Sequence, residues 1–153
     1  RQKRWSASQH VGLDGTMGSS IYGTFQERGT HVNDQGLHML IRQDYGLPPH
    51  LTEEERERGQ EIGAAEVMRR ISGDEIAHHV INLDLVRIYL KYFPDETREK
   101  IRQIREGFRM PALHLLPNRH EFVRALKATR IYDGTVFRKR VDEPILKSLG
   151  LIA

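Results

Sequence analysis

The chain of 153 residues contains no cysteine. Disulfide bonds, thiolate catalysis and cysteine-ligated zinc or iron–sulfur sites are therefore excluded, and stability has to come from packing. The chain also lacks an uninterrupted apolar run of the roughly 20 residues that a membrane-spanning helix needs. Its longest apolar stretch, residues 76–93, is interrupted by histidine, asparagine, aspartate and arginine. An apolar content of 38% is nevertheless enough for the core of one domain.

Catalytic motifs are missing as well. The glycines around Thr16 and Ser19 are not followed by the Gly-Lys-Ser/Thr ending of a phosphate-binding loop. No nucleophile elbow, Ser-His-Asp arrangement or paired-acid motif occurs. We therefore expect a protein that is not an enzyme, with no catalytic residues, no cofactor and no small-molecule substrate.

One group of side chains has metal-ligand spacing, namely Glu75, His78 and His79. A carboxylate and a histidine three or four residues apart share a helix face and can hold a metal ion. A di-metal bundle would need a second such pair and more inward carboxylates, and the sequence shows none on another helix. His114 and His120 lie beside proline-bounded turns, where histidines are commonly solvated. The sequence therefore favours no metal site, with the Glu75 group left as an open question.

The N-terminal third differs in pattern from the rest. Residues 1–50 hold seven of the thirteen glycines and show neither a helical nor a strand period. Pro48-Pro49 then favours an extended backbone and a domain boundary. We expect an irregular N-terminal extension over residues 1–50, ordered chiefly by partner proteins, and an α-helical domain over residues 51–153.

Within the helical domain, three capping-box spacings mark helix starts. They are Thr52 with Glu55, Ser72 with Glu75, and Asn118 with Glu121. The pattern predicts five short helices in antiparallel succession, with a turn at Ser72-Gly73 and no sheet. The expected fold is all-α, with short helix hairpins stacked as a right-handed helical-repeat array similar to TPR domains.

Apolar spacing predicts how each helix is buried. The second helix, about residues 74–93, has apolar residues on more than one face and should pack from several sides. Ile101, Ile104 and Phe108 recur at helical spacing on the third helix. Two further buried stripes are predicted on the last helices, one of Phe122, Ala125, Leu126 and Thr129 and one of Phe137, Val141, Ile145 and Leu149, with Pro144 bending the final helix and Gly150 ending it.

The C-terminal part resembles a known family. The phrases that carry the resemblance are Tyr92-Phe93-Pro94, Leu115-Leu116-Pro117, Phe122, Arg124-Ala125-Leu126-Lys127-Ala128-Thr129-Arg130, Asp133, and Pro144-Ile145-Leu146-Lys147-Ser148-Leu149-Gly150. Together they resemble subunit Va of cytochrome c oxidase, called subunit VI in fungi. The family has no counterpart for residues 1 to about 75, and it usually has a further helix before the terminal Leu-Gly.

The resemblance implies a non-catalytic accessory subunit of mitochondrial cytochrome c oxidase (respiratory complex IV). Such a subunit lies peripherally on the matrix side of the inner membrane and contacts other subunits of that large complex. The start RQKRWSAS, rich in arginine and free of acids, is typical of a transit peptide, although an ordinary basic tail has the same composition. We expect partner contacts at loop residues of the helical region. These are Leu115, Leu116, Arg130, Tyr132 and Asp133.

Two alternatives remain open. Arg69-Arg70-Ile71-Ser72-Gly73-Asp74-Glu75 and Leu116-Pro117 resemble phrases of the small matrix-side subunit of the cytochrome bc1 complex, although their spacing here is too long. The basic faces of the last helices also fit an organellar helical-repeat protein that binds RNA or the ribosome. Nucleic acid is the less favoured partner, because Phe108, Phe122 and Phe137 fall on predicted core stripes and few aromatics remain to stack on bases.

Overall fold

The computed structural model describes residues 15–44, 60–108 and 117–153, and these ranges are helical with no strand. The elements are α1 (Gly15–Asp44), α2 (Gln60–Tyr92), α3 (Pro94–Gly107), α4 (Arg119–Thr129), α5 (Gly134–Val136), a π-helical segment (Phe137–Asp142) and α6 (Glu143–Ser148). The predicted all-α class is confirmed. The Thr52 capping box, the Pro48-Pro49 boundary and the Leu115-Leu116 link lie outside the described residues. None of the described helices is long and apolar enough to cross a membrane.

The prediction of an irregular extension is wrong for residues 15–44, which form the 30-residue helix α1. Ile21, Phe25 and Val32 on this helix are at most 3% exposed. They recur at four and seven residues, so they lie on one helical face. This face is one side of the core, and α1 is therefore part of the domain.

The glycines of α1 are the reason that the sequence did not predict this helix. Two of them lie at close contacts with neighbouring segments. A Cβ added to Gly23 would meet Nδ2 of Asn82 on α2 at 2.8 Å. A Cβ on Gly36 would collide with the side chain of Ile131. Glycine lowers helix propensity by about 1 kcal/mol relative to alanine, but here it lets neighbouring segments approach the helix backbone.

α1 and α2 pack antiparallel along most of their length. The Tyr89 hydroxyl donates to the Thr16 hydroxyl over 2.9 Å at one end of the pair. His31 lies against Ser72 towards the other end. Apolar side chains of the two helices belong to one core, and Leu83 and Val86 supply its α2 side.

The predicted turn at Ser72-Gly73 is wrong, because α2 runs without a break from Gln60 to Tyr92. Ser72 is 4% exposed, and its hydroxyl lies 2.8 Å from Nδ1 of His31. The serine therefore bonds across to α1 instead of capping a helix. A Cβ on Gly73 would meet nothing within 4 Å, so this glycine marks neither a turn nor a close contact.

α2 ends where the sequence predicts. Tyr92 is its last residue and Pro94 begins α3, where the missing amide hydrogen of proline costs no intrahelical bond. Ile101 and Ile104 on α3 are buried, as predicted. Phe108, just after α3, lies in an aromatic group whose ring centroids are 5.2–6.1 Å apart. The partners of Phe108 in this group are Tyr22, Phe25 and Phe137.

The C-terminal helix distorts ahead of Pro144, as its sequence indicates. Proline at this position cannot donate to the carbonyl of Arg140. The chain forms a π-helical segment there, and Nε of Arg28 on α1 donates to the Arg140 carbonyl over 2.7 Å. Val141 and Ile145 are buried as predicted. Gly150 has a φ of 67° and ends the helix, with the Leu151 amide donating to the carbonyl of Leu146.

α4 departs from its predicted burial. It begins after Asn118 as expected, but the Asn118 side chain makes no capping bond and no residue of the helix is buried. Phe122 is 42% exposed, so the predicted stripe of Phe122, Ala125, Leu126 and Thr129 is not a core face. α4 therefore adds little to the core of the described ranges.

We expect Phe25→Ala to lower the free energy of unfolding by about 3–5 kcal/mol, because it leaves a cavity among fully packed residues. The matched control, Phe122→Ala on α4, should cost less than about 1 kcal/mol. Urea denaturation followed by circular dichroism measures both. Equal, small losses would show that α1 is not part of the core.

Candidate interaction surface and polar cluster

Six large apolar side chains on one face of α2 are exposed. Their exposure runs from 37% for Ile71 to 64% for Tyr92. They follow the alternating three- and four-residue steps of a heptad pattern, and Asp74 and His78 occupy the two middle positions. We call this set the α2 stripe. It comprises Val67, Ile71, Asp74, His78, Ile81, Leu85, Ile88 and Tyr92.

The prediction that this helix packs from several sides is wrong for the stripe. The opposite face of α2 carries the buried residues His79, Leu83 and Val86 against α1. Within the described ranges, the helix is thus covered on one side and bare on the other. An exposed apolar face, here divided by Asp74 and His78, is typical of interaction sites.

Charged side chains flank the stripe. The Arg70 and Asp84 side chains are 73% and 59% exposed, and among the described residues each forms an ion pair only with a neighbour on its own helix. Nε of Arg70 lies 3.0 Å from Glu66, and Asp84 lies 2.7 Å from Arg87. Exposed pairs of this type contribute at most about 1 kcal/mol. Both side chains can therefore exchange these partners for others at little cost.

The sequence-predicted contact residues fall in a different place. Leu115 and Leu116 lie outside the described residues. Arg130 is exposed and ends α4 with a left-handed φ of 56°. Tyr132 packs against the core, and burial raises its pKa to about 12. Asp133 caps α5, where its Oδ1 accepts from the Val136 amide over 2.8 Å.

Tyr132 and Asp133 therefore have structural roles that account for their positions. The structure describes three of the predicted contact residues. Among these three, only Arg130 is exposed. The α2 stripe offers a much larger continuous surface. The heptad spacing of the stripe residues is visible in the sequence and could have indicated this surface.

Polar side chains lie between α1 and α2. Nδ1 of His79 donates to the Thr24 carbonyl over 2.9 Å, since a carbonyl oxygen can only accept. His79 is 4% exposed, and burial lowers its pKa. The ring is therefore neutral and committed to a helix–helix hydrogen bond. Among the described residues, the group whose potential ligand atoms lie within 4.8 Å of one another does not include His79.

Glu75 and His78 do come together, and α1 adds a third donor, Glu27. Nδ1 of His78 lies 3.7 Å from Oε2 of Glu27 and 3.8 Å from Oε2 of Glu75. One ligand atom from each residue lies within 4.8 Å of the other two. We call these three residues the polar cluster. Glu27 was missed because the helix that carries it was not predicted.

The polar cluster holds two carboxyl groups, Glu27 and Glu75, that repel each other when both are charged. A hydrogen bond with Glu27 raises the pKa of Glu75 to about 7, with burial and the Glu27 charge as further causes. In the described ranges, His78 is the only ion-pair partner of either carboxylate. At neutral pH the two carboxyl groups therefore share a site that favours an added positive charge or a proton.

We expect Glu75→Gln to raise the free energy of unfolding at pH 8 relative to the wild type. The folded-state pKa of Glu75 lies above its ordinary value of 4.5. The stability that the protonated Glu75 carboxyl group contributes is therefore fully present below pH 4.5, and this stability is lost as the pH rises towards 7. The advantage of the Glu75→Gln variant should therefore shrink towards pH 4.5.

Denaturation at both pH values with a chelator present measures this difference. Glu121→Gln, an exposed position on α4, is the matched control and should show little change. A loss of stability in the Glu75 variant at pH 8 would contradict the described geometry.

Comparisons with family models, with curated proteins and with solved structures found no match to this chain.

Proposed function

We propose that this protein is a non-catalytic structural subunit that self-associates through the α2 stripe. The observation that supports the proposal is the row of exposed apolar side chains at heptad spacing on α2. Helices with this spacing pack side by side along a single seam. The occupant that fits the stripe is α2 of a second copy, packed antiparallel about a two-fold axis.

The order of residues in the stripe supports a second copy. Centred between Asp74 and His78, an antiparallel pairing opposes Ile71 to Ile81 of the second copy and Val67 to Leu85 of the second copy. Apolar positions thus meet apolar positions on both sides of the axis. These four apolar positions are placed symmetrically about the polar centre, whereas Ile88 and Tyr92 have no stripe residue opposite them.

Charges in the same register are complementary. Asp74 meets His78 of the second copy, and the two-fold axis repeats this contact. Arg70 on the flank comes beside Asp84 of the second copy. Ala77 lies at the centre of the flank and allows close approach of the two backbones. Polar residues at the centre of an otherwise apolar seam specify register and orientation at some cost in stability.

The interface would be of moderate strength. Burying the exposed half of an isoleucine- or leucine-sized side chain contributes about 1 kcal/mol. Lost translational and rotational freedom opposes this gain by at least about 4 kcal/mol. A dimer that forms at micromolar concentration is consistent with these magnitudes, and further subunits would strengthen it in a larger assembly.

A larger assembly is also what the sequence resemblance implies. As a second proposal, the chain is an accessory subunit of mitochondrial cytochrome c oxidase on the matrix side of the inner membrane. Two of the phrases that carry the resemblance lie at helix boundaries, with Tyr92-Phe93-Pro94 joining α2 to α3 and Asp133 before α5. A right-handed, TPR-like stacking of the helices in residues 51–153 belongs to this proposal.

We expect Ile81→Lys to convert the dimer to a monomer, because it places a charge in the apolar seam opposite Ile71 of the second copy. Met39→Lys is the matched control, since Met39 is 65% exposed but lies on α1 outside the stripe. Sedimentation velocity at about 10–100 µM, a range set by the estimate above, distinguishes the two states.

A pair of charge reversals tests the register. Arg70→Asp should weaken the dimer, and adding Asp84→Arg should restore it, since the two positions meet across the axis. A wild-type chain that is monomeric throughout the concentration range would contradict self-association.

Purification of a tagged chain in mild detergent tests the second proposal, which requires that haem-containing oxidase subunits co-purify with the chain. Co-purification of bc1 subunits, or of RNA with ribosomal proteins, would instead support the alternatives.

A further inference from the structure

Glu27 on α1 and Glu75 and His78 on α2 form the only group of three potential metal ligands found among the described residues. The side chains come from two helices that the core holds together, so their separation does not depend on a loop. Glu75 and His78 are three residues apart and share one face of α2. The antiparallel pairing places Glu27 opposite them.

From this arrangement we infer that Glu27, Glu75 and His78 form a binding site for a divalent first-row transition-metal ion. All three ligands belong to one chain, so the site does not require the proposed self-association, although His78 also lies in the α2 stripe. The donors are two carboxylate oxygens and one imidazole nitrogen. Imidazole favours ions such as Zn²⁺, Fe²⁺ and Co²⁺, and carboxylates also accept Mn²⁺.

The distances are close to those of a bound site. Ligand atoms around a tetrahedral ion with bonds of about 2.0–2.2 Å lie roughly 3.3–3.6 Å apart. The two nitrogen–oxygen distances here are 3.7 and 3.8 Å. Small side-chain rotations, with no movement of the helices, would bring the three donors to an ion. Water would complete the coordination, since the His78 side chain is 59% exposed.

The charges at the site also favour a cation. Two carboxylates face each other across the helix pair, and His78 is their only ion-pair partner in the ranges described. Asp34, two turns along α1 from Glu27, adds a buried carboxyl group near Glu75. A glutamate on one helix with a Glu-x-x-His pair on the next is half the ligand set of the di-metal carboxylate bundles.

Titration calorimetry with Zn²⁺ on the full chain, stripped of metal beforehand with a chelator, tests the site. We expect saturable binding of a single ion per chain. His78→Ala, Glu27→Gln and Glu75→Gln should each weaken binding more than about tenfold, a loss that even partners outside the ligand shell can cause. Co²⁺ should give visible absorption bands in the wild type that His78→Ala removes.

The double variant His120→Ala, Glu121→Gln is the matched control. It removes a histidine and a glutamate from the exposed face of α4 and should bind Zn²⁺ as the wild type does. Circular dichroism establishes that each variant is folded. Absence of saturable binding, or an equal loss in the control, would overturn the metal site and leave a carboxyl pair that shares a proton.

Leu85→Lys separates this inference from the proposed function, because Leu85 opposes Val67 of the second copy in the seam but lies two helical turns from His78. The variant should bind Zn²⁺ with wild-type affinity, whether or not the wild type dimerises, because Leu85 contributes no ligand. A loss of Zn²⁺ affinity in folded Leu85→Lys would contradict a site formed within one chain.

Discussion

The antiparallel packing of α1 against α2 is the interaction on which the rest of the structure depends. Ile21, Phe25 and Val32 on α1 are buried with Leu83 and Val86 on α2, and each fully buried side chain of this size contributes about 1.5–3 kcal/mol. α3 and the C-terminal helix complete the same core. The pairing also determines which face of α2 remains bare and which side chains meet between the two helices.

The sequence predicted those features of the fold that local chemistry determines. Pro94 and Gly150 act within their own turns, and the helix boundaries beside them are correct. Ser72 and Gly23 could not be interpreted in this way, because their environments are made by the opposite helix. Serine and glycine favour turns in isolation, and tertiary contacts reversed that preference.

The polar cluster and the α2 stripe were predictable only in part. Glu75 and His78 share a helix face that the sequence identifies, whereas Glu27 lies 48 residues away from Glu75 and joins them only through the α1–α2 pairing. The heptad spacing of the α2 stripe was present in the sequence. Spacing alone does not tell a face that packs in the core from one that awaits a partner, and exposure in the folded chain makes that distinction.

Hydrogen exchange of the isolated chain tests the role of α1 most directly, since slow amide exchange reports stable helix in a packed core. The structure predicts that the amides of Phe25 and Val32 on α1 are protected as strongly as those of Leu83 and Val86 on α2. An α1 whose amides exchange at the rate of an unstructured chain, while α2 stays protected, would contradict the structure and restore the N-terminal segment to a partner-dependent arm.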